Sequence, residues 1–206
     1  MRFPLSLRFA AALVLAAVAL PAIAQEAPDA LVKRTSGEVL QVVRTDPKVA
    51  AGDKQRIREV IETMLLPNFD FEKMTALAMG RNWNKATPEQ QKALVDQFRT
   101  LLVRTYSGAL SQYKDQTIDW KPMRGDPAAT DVVVRSEVVR PGQAPVQIDY
   151  GMTKTAAGWK AYDVIVGGVS LVTNYRDEFN EQIKAGGVDG LIKTLGDKNK
   201  GVSGKS

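Results

Sequence analysis

The stretch from Trp159 to Phe179, WKAYDVIVGGVSLVTNYRDEF, changes its hydrophobic period halfway along, and this constrains the fold more than any other segment. Tyr162, Val164 and Val166 alternate with Ala161, Asp163 and Ile165, the period of two expected of a half-buried strand. Beyond Gly167-Gly168 the spacing becomes helical: Leu171, Val172, Tyr175, Phe179 and Ile183 fall on one stripe, with Ser170 placed as an N-cap. A strand that passes through a glycine pair into an amphipathic helix folds the helix back over its own sheet. The space between the two is then either packed core or a pocket, and function turns on which.

The chain opens as an export signal does. Arg2 and Arg8 flank a basic start, an apolar run extends from Phe9 to Leu20, and Ala22-Ile23-Ala24 has the small residues of a cleavage site. A spanning helix needs about 20 apolar residues, and Pro21 ends this run sooner. The expected organisation is a signal peptide over 1–24, cleaved after Ala24 on export. A single domain over 25–196 and a disordered tail over 197–206, rich in glycine, lysine and serine, complete the chain.

The chain contains neither histidine nor cysteine. Ser-His-Asp triads, Cys-His dyads, thiolate or imidazole zinc sites, haem ligation by histidine and disulfide staples are therefore excluded. No glycine-rich phosphate loop or calcium-binding loop is present, and no cofactor, metal site or catalytic residue is assigned. With 28 basic and 23 acidic residues, and Arg2 and Arg8 in the leader, the remainder is only mildly basic. It has no dense basic run with interleaved aromatics, so nucleic acid is not an expected partner.

The first half of the mature chain reads as helices. Pro28 to Arg44 forms one, and a second opens at Asp53, carries Ile57, Val60, Ile61, Met64 and Leu65 on one stripe, and stops at Pro67. A third starts near Asp70 and ends before Gly80. Thr87-Pro88-Glu89-Gln90 combines a cap, a first-turn proline and a capping-box glutamine, and it opens a long helix to about Tyr113. One face of that helix carries Leu94, Phe98, Leu101, Leu102, Thr105, Tyr106, Ala109, Leu110 and Tyr113. Tyr106 sets a phenol in that face, where it either finds a partner in the sheet or stands at a cavity wall.

Strands come next: Gln116 to Met123, Asp131 to Arg140, the Val146, Ile148, Tyr150, Met152 alternation, and Trp159 to Val166. Short turns, at Gly125-Asp126-Pro127, Pro141-Gly142 and Ala156 to Gly158, link them into a four-stranded antiparallel sheet. The chain ends with the helix from Ser170 to Gly186-Gly187 and a short helical turn over Val188 to Leu195. Helices first, then a sheet closed by a helix, define an α+β fold.

GWKAYDVIVGGVSLVTNYRDEF followed by GGVDGLIKTL, with GRNWNKATPEQQ and YSGALSQY, resembles the MlaC family of periplasmic phospholipid-binding proteins, also called the toluene-tolerance family. The likeness runs from about Pro28 to Leu195. It implies a curved-sheet, cone-like fold related to nuclear transport factor 2 with a helical subdomain, and a deep apolar cavity for phospholipid acyl chains. It further implies a shuttle between a lipoprotein and porin complex at the outer membrane and an ABC transporter with a substrate-binding hexamer at the inner membrane, maintaining outer-membrane lipid asymmetry. A soluble shuttle suits a monomer.

Physical chemistry agrees with such a role. Two long acyl chains exposed to water cost on the order of 20 kcal/mol. A carrier needs a pocket at or above the upper end of the usual range of roughly 300 to 1,000 Å³. The expected lining is Phe98, Leu102 and Tyr106 from the long helix, Val146, Ile148 and Tyr150 from the sheet, and Val169, Val172 and Tyr175 from the junction. Tyr106, Val146 and Val169 lie in segments resembling the family's cavity wall, whereas Trp159 and Phe179 read as plain core. Arg81, Lys85 and Arg176 either face a phosphate near the mouth, face a partner, or belong to the solvated surface. The alternative is an isomerase or hydratase on the same cone, using Asp149 or Asp163 with a tyrosine; strand alternation turns both carboxyls away from the face of Ile148 and Tyr162.

Overall fold

The computed structural model describes residues 25–110, 116–123 and 128–201. The expected leader, the far end of the long helix at Tyr113, the Gly125-Asp126-Pro127 turn and residues 202–206 lie outside the described residues.

Helix α1 (Pro28–Thr45) takes proline in its first turn and is followed by the short α2 (Pro47–Ala50), whose cap Asp46 accepts from the N–H groups of Lys48 and Val49. Helix α3 (Lys54–Val60) starts on Asp53, which accepts from Arg56 N–H. The stripe expected to continue it instead widens into a π-helical turn (Ile61–Leu65) and then tightens into a 3₁₀ turn (Leu66–Asn68), because Pro67 cannot continue an α-helix. Helix α4 (Phe71–Met79) is capped by Asp70, and Gly80 ends it at a φ of 54°.

Helix α5 (Pro88–Leu110) opens on a reciprocal capping box: Thr87 N–H donates to Gln90 Oε1 at 3.0 Å, and Gln90 N–H to Thr87 Oγ1 at 3.2 Å. Its buried face, with Leu94 and Phe98 fully enclosed, forms one cluster with Met74, Ala78 and Met79 of α4, with Val172, and with Phe179, Leu191 and Leu195. The last three belong to α6 (Arg176–Gly201), which bends at Gly187, where φ is 67° and ψ −170°. The second leg runs to Gly201, so 197–201, expected in the tail, are helical. Asn199 holds them down, its amide donating to the Gln97 backbone carbonyl and side chain at 3.0 and 2.8 Å.

The sheet is antiparallel in the order β1 (Thr117–Trp120), β2 (Asp131–Val139), β3 (Val146–Thr155), β4 (Gly158–Val166) and β5 (Val169–Ser170). Among the described residues it has five strands where four were expected. Gly167 and Gly168, both at positive φ (57° and 84°), make a two-residue hairpin that sends Val169-Ser170 back along β4 before any helix begins. The Ser170 hydroxyl still acts as a cap, accepting from Val172 and Thr173 N–H, but a 3₁₀ turn (Thr173–Tyr175) precedes α6.

A second departure lies in β4. Gly151 pairs with Asp163 and Met152 with Ala161, leaving Tyr162 as the extra residue of a bulge. Ala161 thereby joins Met152, Val134 and the α1 residues Leu31 and Val32 in a core, and Tyr162 lies over Gly151 on the side of Asp163 rather than with Val164. A Cβ at Gly151 would stand 3.1 Å from the Tyr162 ring, tighter than ordinary contact, so a side chain there would displace the ring by a few tenths of an ångström. The chain from the 3₁₀ turn covers the neighbouring edge of β4: Phe69 bridges to Ala161, and Asp70 N–H donates to its carbonyl at 2.9 Å.

Phe98 is fully buried and edge-on to both Phe179 and Tyr175, at 5.1 and 5.2 Å between centroids. Phe98→Ala is expected to cost about 3–5 kcal/mol, read as a lower urea midpoint with an unchanged m-value.

Candidate apolar ligand cavity

Contacts with α6 at Arg104 and with the α1–α3 cluster at Val103 leave part of the apolar face along the second half of α5 unfilled by any helix among the described residues. Leu102, Val103, Tyr106, Ser107 and Ala109 instead form one wall of a cavity of about 230 Å³. Ile61, Leu65 and Leu66 from the π and 3₁₀ turns form the facing wall, Phe69, Phe71 and Met74 its end, and Val164 and Leu171 its floor. The floor exists because the Gly167-Gly168 hairpin returns Leu171 beside β4, where its N–H donates to the Val164 carbonyl at 2.8 Å. Among the described residues, no lining residue is charged, and only Tyr106 and Ser107 bring a side-chain oxygen.

Tyr106 resolves the alternative left open by its spacing, since it is both at the wall and satisfied. It shares a hydrogen bond with the Tyr175 hydroxyl, and burial first, then Tyr175, pushes its pKa up to about 12. A neutral phenol whose polar group is already engaged presents mainly ring surface to the cavity.

Of the nine residues proposed from the sequence, the structure brings Leu102 and Tyr106 to the cavity. Phe98 and Val172 are fully buried in the helical core, and Tyr175 packs there against Phe98 and Phe179. Tyr150, the cross-strand partner of Val164, shares the face of the cavity floor but packs in the α1 cluster, 6.3 Å from the Trp120 ring, and is not part of the lining. Ile148, paired with Val166 and Ser136, is half-buried and is not part of the lining. Val146 and Val169 are exposed, at 45% and 54%, one at the start of β3 and the other beside the hairpin tip. Six of the lining residues come from residues 61–74, which read as ordinary amphipathic helix. The one local signal was Pro67 inside an apolar run, a mark of irregular backbone. The cavity is also smaller than the expected range.

The basic residues considered for its mouth are elsewhere. Arg176 donates through Nε and Nη2 to the Leu77 carbonyl and so closes α4, Lys85 donates to Asn82, and Arg81 is exposed. None of the three lines the cavity.

Neither Asp149 nor Asp163 lines it. Asp149 is paired with Arg135 at 3.9 Å and accepts from Gln147 at 2.8 Å. Asp163 is buried, and desolvation holds its pKa above the usual carboxylate value against the opposing Ser170 hydroxyl and the N–H groups of Val164 and Val172. Asp163 thus carries a raised pKa without lining the cavity.

Fold and site define an α+β protein with helices and sheet around an uncharged cavity. Residues 33–197 match the family described as MlaC protein, and the chain belongs to that family. It is 26% identical to the toluene tolerance protein ttg2D of Pseudomonas putida over 88% of this chain and 84% of that one. It is 22% identical to the intermembrane phospholipid transport system binding protein MlaC of Haemophilus influenzae, over 84% and 83%. The solved structure of a phospholipid-binding protein from Ralstonia solanacearum, in complex with a phospholipid, superposes with a TM-score of 0.79 and 40% identity, covering 85% of this chain and 98% of that one.

Because the native pKa of Asp163 lies above its unfolded value, its contribution is fully present below the ordinary carboxylate pKa and is lost as pH rises through the native value. The stability gained by Asp163→Asn over wild type is therefore expected to be larger at pH 7 than at pH 4, measured by urea unfolding at both.

Proposed function

We propose that the protein is a phospholipid carrier that takes acyl chain into the cavity between the second half of α5, the π and 3₁₀ turns, and the β4–β5 hairpin. The observation that carries this reading is the uncharged lining, on a fold shared at 40% identity with a protein whose structure contains a phospholipid. An apolar cavity excludes water without forfeiting hydrogen bonds, and each methylene moved into it gains about 0.8 kcal/mol. At about 230 Å³ the cavity does not take two full chains in this conformation. Its widening falls to the wall formed by residues 61–68, whose π and 3₁₀ turns have poorer hydrogen-bond geometry than an α-helix.

The wider role grows out of that of a carrier. Residues 25–196 act as one lipid-binding unit with a helical subdomain and a cone-like sheet, exported behind a leader removed after Ala24. The protein works as a monomer in the periplasm, shuttling lipid between an outer-membrane lipoprotein and porin complex and an inner-membrane ABC transporter with a substrate-binding hexamer, and so maintains lipid asymmetry. No chemistry on the lipid is needed.

Native mass spectrometry of the purified protein, with organic extraction of the same sample, is expected to show a stoichiometric mass excess that extracts as phospholipid. Ala109→Trp places an indole in the cavity from an exposed rim position. It is expected to lower lipid affinity at least roughly tenfold, ~1.4 kcal/mol, with the unfolding midpoint unchanged. A bare polypeptide mass that persists after incubation with phospholipid vesicles would remove the carrier reading.

A further inference from the structure

A polar groove adjoins the cavity. Leu66 and Val103 line both, and beyond them the groove is bounded by Arg58 and Glu62 on the α3 side and by Asp96, Arg99, Thr100 and Arg104 on α5. An apolar chamber with guanidinium groups next to it has the order of polarity of a phospholipid, chains first and phosphate next.

Two of these arginines are available. Arg104 donates to the Asn199 carbonyl and so fixes the end of α6. Arg58 and Arg99 are exposed, and neither forms a hydrogen bond or ion pair among the described residues. The one aromatic contact of Arg99 sets its guanidinium 5.6 Å from the ring centroid of Phe71, a residue of the cavity's end wall. Stacking on an aromatic face leaves the N–H edge of a guanidinium pointing outward, where it can grip an oxyanion with two parallel hydrogen bonds. Of the two carboxylates in the groove, Asp96 is engaged by Lys92 at 3.3 Å, and Glu62, one helical turn from Arg58, is unpaired among the described residues. Free guanidinium groups with one free carboxylate suit a headgroup that carries a phosphate and an ammonium together.

We propose that Arg58 and Arg99 form a headgroup subsite that holds the phosphodiester of a zwitterionic phospholipid while its chain occupies the cavity, with Glu62 receiving the ammonium. The proposal rests on the carrier reading above and adds to it a preference for phosphate-bearing lipid. It replaces Arg81, Lys85 and Arg176 in the role considered for them from the sequence.

The test compares wild type with the Arg58→Gln/Arg99→Gln double variant in their retention of phosphatidylethanolamine, of diacylglycerol with the same chains, and of glycerophosphoethanolamine, which has none. Both positions are exposed, and an unchanged circular-dichroism melt verifies the fold. Wild type is expected to hold phosphatidylethanolamine on the order of tenfold more tightly than diacylglycerol, the scale of charge-assisted hydrogen bonds. The double variant is expected to lose that preference and keep its diacylglycerol affinity. A preference that survives in the variant, or is absent from wild type while both lipids bind, overturns the subsite and leaves the carrier standing. Glycerophosphoethanolamine bound as tightly as the whole lipid, and released by the variant, would mark a free-anion site and overturn the headgroup assignment. Wild type that binds neither lipid removes the carrier reading itself, and the subsite with it.

Discussion

One helix face carries two obligations. The apolar stripe of α5 is longer than the surface that α4 and α6 offer it, so its first half closes a core and its second half, though held by α6 at Arg104, is only partly covered by helices among the described residues. An apolar face left in water is costly, and the chain answers with irregular backbone: a π turn, a 3₁₀ turn at Pro67 and a glycine hairpin bring Leu65, Leu66, Val164 and Leu171 opposite it. These segments approach without meeting. The cavity is the remainder between a helix that is too long and connections too irregular to fill the gap.

The surrounding structure keeps that remainder open. At one end, Leu94, Phe98, Phe179 and Leu191 are packed without exposure, and Asn199 and Arg104 pin the second leg of α6 against α5. At the sheet, the bulge at Tyr162 turns Ala161 toward α1, so that β4 divides its residues between the α1 core and the cavity floor. Tyr106 lies at the boundary, bonded to Tyr175 of the core and presenting its ring to the cavity. The rigid half thus holds the open half in place, a division that a carrier requires.

Much of the architecture was legible because its signals are local. The Thr87–Gln90 box, the caps at Asp53 and Asp70, the first turn at Pro28 and the strand alternations each state an element within a few residues. Features set by distant partners were not. Gly167-Gly168 is compatible with either a strand-to-helix junction or a hairpin, and only pairing of Val169 with Val166 decides. The bulge depends on contact between Tyr162 and Gly151, and the helicity of 197–201 on Gln97, about a hundred positions away in sequence. The lining divides in the same way. Leu102 and Tyr106 were visible from the unused length of the α5 face, whereas Phe98 and Val172, equally apolar, are core because of what α6 places over them. Residues 61–74 gave no sign of standing opposite α5.

The central claim is that the chain of a bound lipid lies between the second half of α5 and the irregular turns. Photocrosslinking with a phospholipid that carries a diazirine on its acyl chain, followed by peptide mapping, tests it most directly. The account predicts labels on Leu66, Val103, Tyr106 and Leu171. Labels confined to Val146, Ile148 and Val169, at the exposed end of the sheet, would contradict it.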